Sequence, residues 1–174
     1  MTEFSLQFDP GKIDYWADRY EYKDDETRAI ETDVVPLIQK RSYYTRQEFL
    51  RVCKWKSDRP QRYCEKNSEQ FVQAVTQTAL THSCEQLRIE AFRLLSGVRW
   101  PTASALLHFG SPDPYPILDV RALWSLGLTI RESQYNFVLW WDYTQYCREL
   151  AKTAGVPIRT LDRALWQFSK ENSK

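Results

Sequence analysis

Apolar residues recur at helical spacing over most of the chain, and the breaks between runs carry helix start and stop signals. Phe49, Leu50, Val52 and Cys53 follow Thr45-Arg-Gln-Glu48, a capping box, and predict a helix from Thr45 to about Lys56. Asp58 and Pro60 break that helix and restart another. Ser68 opens a run with Phe71, Val72, Val75 and Leu80 on one face. Ser83-Cys-Glu-Gln86 reads as a second capping box, and Leu87, Ile89, Ala91, Phe92, Leu94 and Leu95 carry the helix to Gly97. Pro101 suits the first turn of the next helix, whose apolar positions are Ala103, Leu106, Leu107 and Phe109. A loop rich in turn residues, Gly110-Ser-Pro-Asp-Pro-Tyr-Pro, leads to Asp119. Asp119 precedes the periodic set Val120, Ala122, Leu123, Leu126 and Leu128 and reads as a helix opener. Two further helices are expected near Ser133–Thr153 and Arg159–Ser169, parted by Gly155 and Pro157.

Before Thr45 the periodicity is weak. Thr27–Lys40 reads as a helix interrupted at Pro36. Alternating β-branched runs are few, and no internal repeat or low-complexity tract is visible. The expected fold class is therefore all-α, a compact domain of about seven to nine helices. The expected organisation is a partly helical acidic N-terminal arm, residues 1–40, followed by an α domain, residues 41–174.

Composition supports a folded chain: 43% of residues are hydrophobic, 14% are aromatic, and glycine occurs only five times. The net charge of +1 says little, but its distribution is uneven. Residues 1–35 hold four Lys/Arg against ten Asp/Glu, a local charge of −6, and residues 36–66 hold nine against three, a local charge of +6. Such a basic stripe binds phosphates or forms a solvated helix face, and the acidic arm could fold against it. The polar, acidic start is unlike a signal peptide, and no apolar run approaches membrane length, so a soluble, cytoplasmic protein is expected. Cys53, Cys64, Cys84 and Cys147 form no C-x-x-C pair, which argues against a zinc site or a disulfide framework and for reduced thiols. His82 and His108 stand alone and read as capping or packing residues.

Leu95-Ser-Gly97-Val98-Arg99-Trp100-Pro101-Thr102-Ala103 resembles the hairpin of the helix-hairpin-helix DNA glycosylase superfamily, whose pattern is Leu-Pro-Gly-Val-Gly, two variable residues, then Thr-Ala. Pro116-Ile-Leu-Asp119-Val-Arg-Ala-Leu-Trp-Ser-Leu-Gly-Leu128 is similar to the family's Val-Asp-Thr-His-Val segment and its closing Leu-Gly-Leu. Asp119 lies eighteen residues after Pro101, the family's separation of the hairpin lysine position from its catalytic aspartate. More weakly, Trp55-Lys56-Ser57 through Tyr63 is similar to the Tyr-x-x-Lys-Ala helix start upstream of the hairpin.

The resemblance implies a glycosylase-like fold that binds double-stranded DNA. Gly97, Val98, Arg99 and Thr102 would meet phosphate through backbone N–H groups at a helix N-terminus, with a monovalent cation on the carbonyls of Leu95 and Val98 and no metal held by side chains. Trp55, Lys56, Trp100 and Trp124 become pocket or DNA-contact candidates, each aromatic having ordinary core packing as its alternative. Asp119 would be the catalytic carboxylate, stabilising cationic character on the deoxyribose or activating the nucleophile, with plain helix capping as its alternative.

The chain departs from the family pattern at three points. Pro101 stands where bifunctional members carry lysine, so Schiff-base lyase chemistry is excluded at that position and any glycosylase activity is monofunctional, using water. Arg99 replaces the hairpin's second glycine, which adds a cation and crowds the turn if a positive φ is needed there. The family's upstream helix with wedge and pocket residues is not evident in the short acidic start. Only Cys147 follows Asp119, so no iron–sulfur cluster or other cofactor is expected. The functional expectation is a DNA-binding protein of this superfamily acting as a monofunctional base-excision glycosylase. The alternative is a catalytically inactive module for nucleic-acid or protein interaction.

Overall fold

In a computed structural model, which describes residues 2–173, the chain is helical with no strand among the described residues. In chain order the α-helices are α1 (Ile13–Asp18), α2 (Asp24–Ala29), α3 (Val35–Arg41), α4 (Arg46–Lys56), α5 (Gln61–Cys64), α6 (Glu69–Thr81), α7 (Glu85–Phe92), α8 (Trp100–Gly110), α9 (Val120–Ser125), α10 (Phe137–Ala154) and α11 (Ile158–Asn172). The chain divides into two compact units: one comprises Tyr22–Asp113, and the other joins the residues up to Glu21 with those from Pro114 onward.

The middle unit is built on α8, whose residues Trp100, Thr102–Leu107, Phe109 and Gly110 are all buried. An all-round apolar helix must be covered on every side, and α3, α4, α6 and α7 pack against it. Tyr44 donates its hydroxyl to Leu106 O at 2.6 Å and is fully buried. The Thr45 capping box forms as predicted: Glu48 N–H donates to Thr45 Oγ1, and Thr45 N–H donates to Glu48 Oε2. Arg41 ion-pairs with Glu48, and Glu26 with Arg51 at 2.7 Å. Arg88, 6% exposed, clamps the end of α6: Nε donates to Ala79 O at 3.1 Å and Nη2 to Ser111 Oγ at 3.0 Å.

One helix reading needs correction. Ser83 does not cap α7, which begins at Glu85 with Cys84 at its N-cap and no side-chain cap bond; instead Cys84 N–H donates to His82 Nδ1 at 3.0 Å. The α-helix over Thr27–Lys40 is interrupted just before Pro36, which sits in the first turn of α3. Pro36 has no N–H to offer, and the chain meets this by widening to a π-helical turn, Ile30–Val34, between α2 and α3, with Val35 N–H donating to Ile30 O.

In the other unit, α11 packs against α1, α9 and α10. The first residues run extended along α9, with Ser5 N–H donating to Leu126 O and Gln7 N–H to Ser125 O, both at 2.9 Å. Phe4 packs on Tyr143 and Tyr146, and Phe8 lies 4.7 Å from the ring of Phe168. The helix expected from Ser133 begins later. A 3₁₀ turn, Glu132–Gln134, precedes Asn136, whose Oδ1 caps α10 through Leu139 N–H at 3.0 Å. No helix of the described residues is long and apolar enough to cross a membrane.

Candidate functional site

The residues singled out in the sequence fall in both units. The turn between α7 and α8 belongs to the middle unit, and Asp119 and Trp124 belong to the other.

The turn is tight because its one left-handed residue is a glycine. Gly97 has φ +83, and a Cβ there would lie 2.7 Å from Cys64 Sγ and 2.9 Å from Cys64 N. Only glycine allows both this backbone and this approach to α5. Asn67, 4% exposed, fixes the turn from the side: its Oδ1 accepts from Ser96 N–H at 2.9 Å, and its Nδ2 donates to Ser96 O at 3.0 Å and to Cys64 O at 2.8 Å. Val98 N–H is used within the turn, donating to Leu95 O at 3.1 Å, and the Val98 side chain is buried. Leu95 O, one carbonyl of the expected cation pair, is therefore a hydrogen-bond acceptor inside the turn.

Arg99 is exposed at the N-cap of α8 with φ −114 and ψ 179. That is ordinary extended backbone, so an arginine in place of the second glycine introduces no strain. No side chain caps α8, and Pro101 in its first turn has no N–H. The leading end of α8 thus carries the Trp100 and Thr102 amides and the positive end of the helix dipole without a side-chain cap. The side chains of Trp100 and Thr102 are each 5% exposed and face inward. The guanidinium of Arg93 sits 4.5 Å from the centre of the Trp100 ring.

Trp55 belongs to the core. It is 3% exposed, donates Nε1–H to Thr27 Oγ1 at 2.8 Å, and meets Phe109 edge-on. Lys56, next to it, is half-buried, and its carbonyl accepts from Tyr22 at 3.5 Å. Trp124 is half-buried and lines an open groove of about 310 Å³ with Val120, Arg121, Leu128 and Ile130.

Asp119 is the N-cap of α9, its Oδ1 accepting from Arg121 N–H at 2.9 Å. The segment leading to it is pinned at Ile117 from both sides: Ile117 N–H donates to Asp162 Oδ1 at 3.0 Å, and Tyr143 donates its hydroxyl to Ile117 O at 2.9 Å. Asp162 is in turn paired with Arg159 at 2.7 Å. Tyr135, 6% exposed, has its phenol pushed up to about 12, first by burial and then by the charges of Asp119 and Glu132. Asp119 therefore acts electrostatically on a buried, neutral phenol.

Asn67, Asp162 and Tyr143 position the candidate residues, and sequence reasoning did not find them. Each acts on a segment 26 to 45 residues away, where no local spacing marks it. The described residues contain no group of three or more His, Cys, Asp or Glu placed to hold a metal ion. The four cysteines are free thiols; Cys53 and Cys64 hydrogen-bond to each other, which lowers the Cys64 thiol, while burial raises Cys53. Compared with known proteins, the chain matches no family model, no curated protein and no solved structure.

Proposed function

We propose that this protein binds the phosphate backbone of double-stranded DNA through the α7–α8 turn, as a helix-hairpin-helix glycosylase-like scaffold, with Asp119 as the catalytic carboxylate of a monofunctional base-excision glycosylase. The observation that carries the reading is the leading end of α8. A glycine-bearing turn presents an uncapped helix N-terminus with Arg99 exposed beside it. Uncapped amide donors and the positive end of a helix dipole suit a phosphate and read no sequence. The hairpin pattern and the eighteen-residue spacing to Asp119 add the glycosylase character. Gly97, Arg99 and the amides of Trp100 and Thr102 are the phosphate contacts in this reading, and Val98 shapes the turn.

The test has two arms. Binding of duplex DNA is measured by fluorescence anisotropy across a salt series, and abasic-site formation is measured on duplexes bearing several damaged bases. The expected result is salt-sensitive binding together with abasic sites whose rate of formation falls about 100-fold or more in Asp119→Asn. Wild type and Asp119→Asn behaving alike on every duplex would end the enzymatic reading.

A second reading has its own observation. Asp119 Oδ1 is already engaged as the cap of α9, and Pro101 stands in the lysine position. Both fit a glycosylase-like module that binds without cutting. Salt-sensitive binding with no abasic product selects it.

A further inference from the structure

We infer that the phosphate-binding surface continues from the α7–α8 turn onto α5 and the residues just after it, where Arg62 and Lys66, held on the ring of Tyr63, contact phosphates of double-stranded DNA. The inference rests on the DNA-binding reading above and extends it to residues outside the hairpin pattern.

The turn and α5 are one built surface. Gly97 approaches Cys64 N and Pro60 O so closely that no side chain fits between them, and Asn67 ties Ser96 to the end of α5. Residues 59–66, Arg-Pro-Gln-Arg-Tyr-Cys-Glu-Lys, place three cations against one acid, Glu65, on α5 and its flanks. Arg62, Tyr63 and Lys66 are exposed, Tyr63 by 42%.

Two features separate these cations from a merely solvated face. First, they are gathered on one ring. The Arg62 guanidinium lies 4.7 Å from the centre of the Tyr63 ring and donates to the Tyr63 hydroxyl at 2.8 Å, and Lys66 Nζ lies 5.3 Å from the same ring. Two like charges gathered on one ring repel each other, and an anion between them relieves that repulsion. Second, they are not spent on the protein's own acids. Elsewhere in the basic stretch, Arg41 and Arg51 pair with Glu48 and Glu26, and Arg46 is bound to the carbonyls of Asn67 and Glu65. Arg62 and Lys66 form no ion pair among the described residues.

The geometry also selects the kind of nucleic acid. Tyr63 carries cations on its ring, so it offers no open platform on which an unpaired base could stack, the usual device for single strands. What it offers is fixed positive charge beside a backbone-amide site, which suits the phosphates of a duplex.

The experiment measures the salt dependence of duplex binding for the full chain, with circular dichroism confirming the fold of each variant. Each phosphate contact contributes a slope of about 0.9 in log Kobs against log salt. Arg62→Ala/Lys66→Ala is expected to lower the slope by about 1.8, and Arg99→Ala by about 0.9. Lys40→Ala, on α3, is expected to leave it unchanged. If Arg99→Ala lowers the slope and the double variant does not, or if Lys40→Ala lowers it as much per charge, the extension to α5 is overturned while DNA binding stands. If wild type fails to bind duplex at low salt, both readings fall together.

Discussion

At the scale of single residues, Gly97 shows how far a sequence pattern reaches. Its place in the turn was legible from the glycine between two apolar helical runs. The surface it touches was not, because Cys64 lies 33 positions earlier and nothing local marks the contact. Gly97→Ala meets two penalties at once, a positive φ and a methyl group driven into Cys64 Sγ and backbone. The expected loss is about 2–3 kcal/mol, read as a lower midpoint in urea unfolding with an unchanged slope. Arg99 carries the opposite lesson. The residue that looked out of place against the family pattern occupies extended backbone at φ −114, so the left-handed demand falls on Gly97 alone. Asp119 was legible as a helix opener, and Oδ1 does cap α9. Asp162 and Asn67 were invisible because an isolated buried polar residue has no signature until its partner is known.

At the scale of elements, legibility followed capping chemistry. The Thr45 box, Ser68 and Asp119 mark helix starts where the structure has them, since each side chain satisfies an amide of the helix it precedes. Thr45→Ala should therefore cost about 1 kcal/mol, seen as a lower thermal midpoint. Ser68→Ala on α6 provides a comparison of like kind. The failure has an equally local cause. At Ser83 the box pattern was present, but the Cys84 amide bonds to His82 Nδ1 and α7 starts at Glu85 without a side-chain cap. At Pro36 the expected interruption takes the form of a π-helical turn that absorbs the missing donor. Before Thr45 the helices are short, and α1 buries only Ile13, which leaves too few apolar positions to declare a period.

At the scale of the whole molecule, the all-helical class was legible and the division of the chain was not. Residues up to Glu21 pack with residues beyond Pro114, a pairing across more than ninety positions that no composition shift announces. One consequence concerns alkaline pH. Burial is the main reason the phenols of Tyr20 and Tyr135 are both pushed up to about 12. Below pH ~10, their value in an unfolded chain, both states keep these protons and the contribution to stability is complete. Between pH ~10 and ~12 the unfolded chain releases protons that the folded chain retains, so the unfolding free energy falls as pH rises. Urea unfolding at pH 9 and pH 11 should show that fall, and Tyr20→Phe or Tyr135→Phe should make it shallower. A fall that is equally steep in both variants would assign it to other groups.

The extended start of the chain has a consequence in time as well as in space. Phe4, Leu6 and Phe8 alternate with exposed Glu3, Ser5 and Gln7; Phe4 packs on α10, Phe8 packs on α11, and the backbone bonds to the end of α9. Those helices lie more than a hundred residues further along the chain. At synthesis rates of about 5–20 residues per second, the segment emerges on the order of ten seconds before its partners exist. Throughout that interval it is an extended segment with an aromatic face and no partner, whereas Tyr22–Asp113 packs within itself. The newborn protein is therefore half finished with a sticky leader, the condition in which nascent chains engage chaperones.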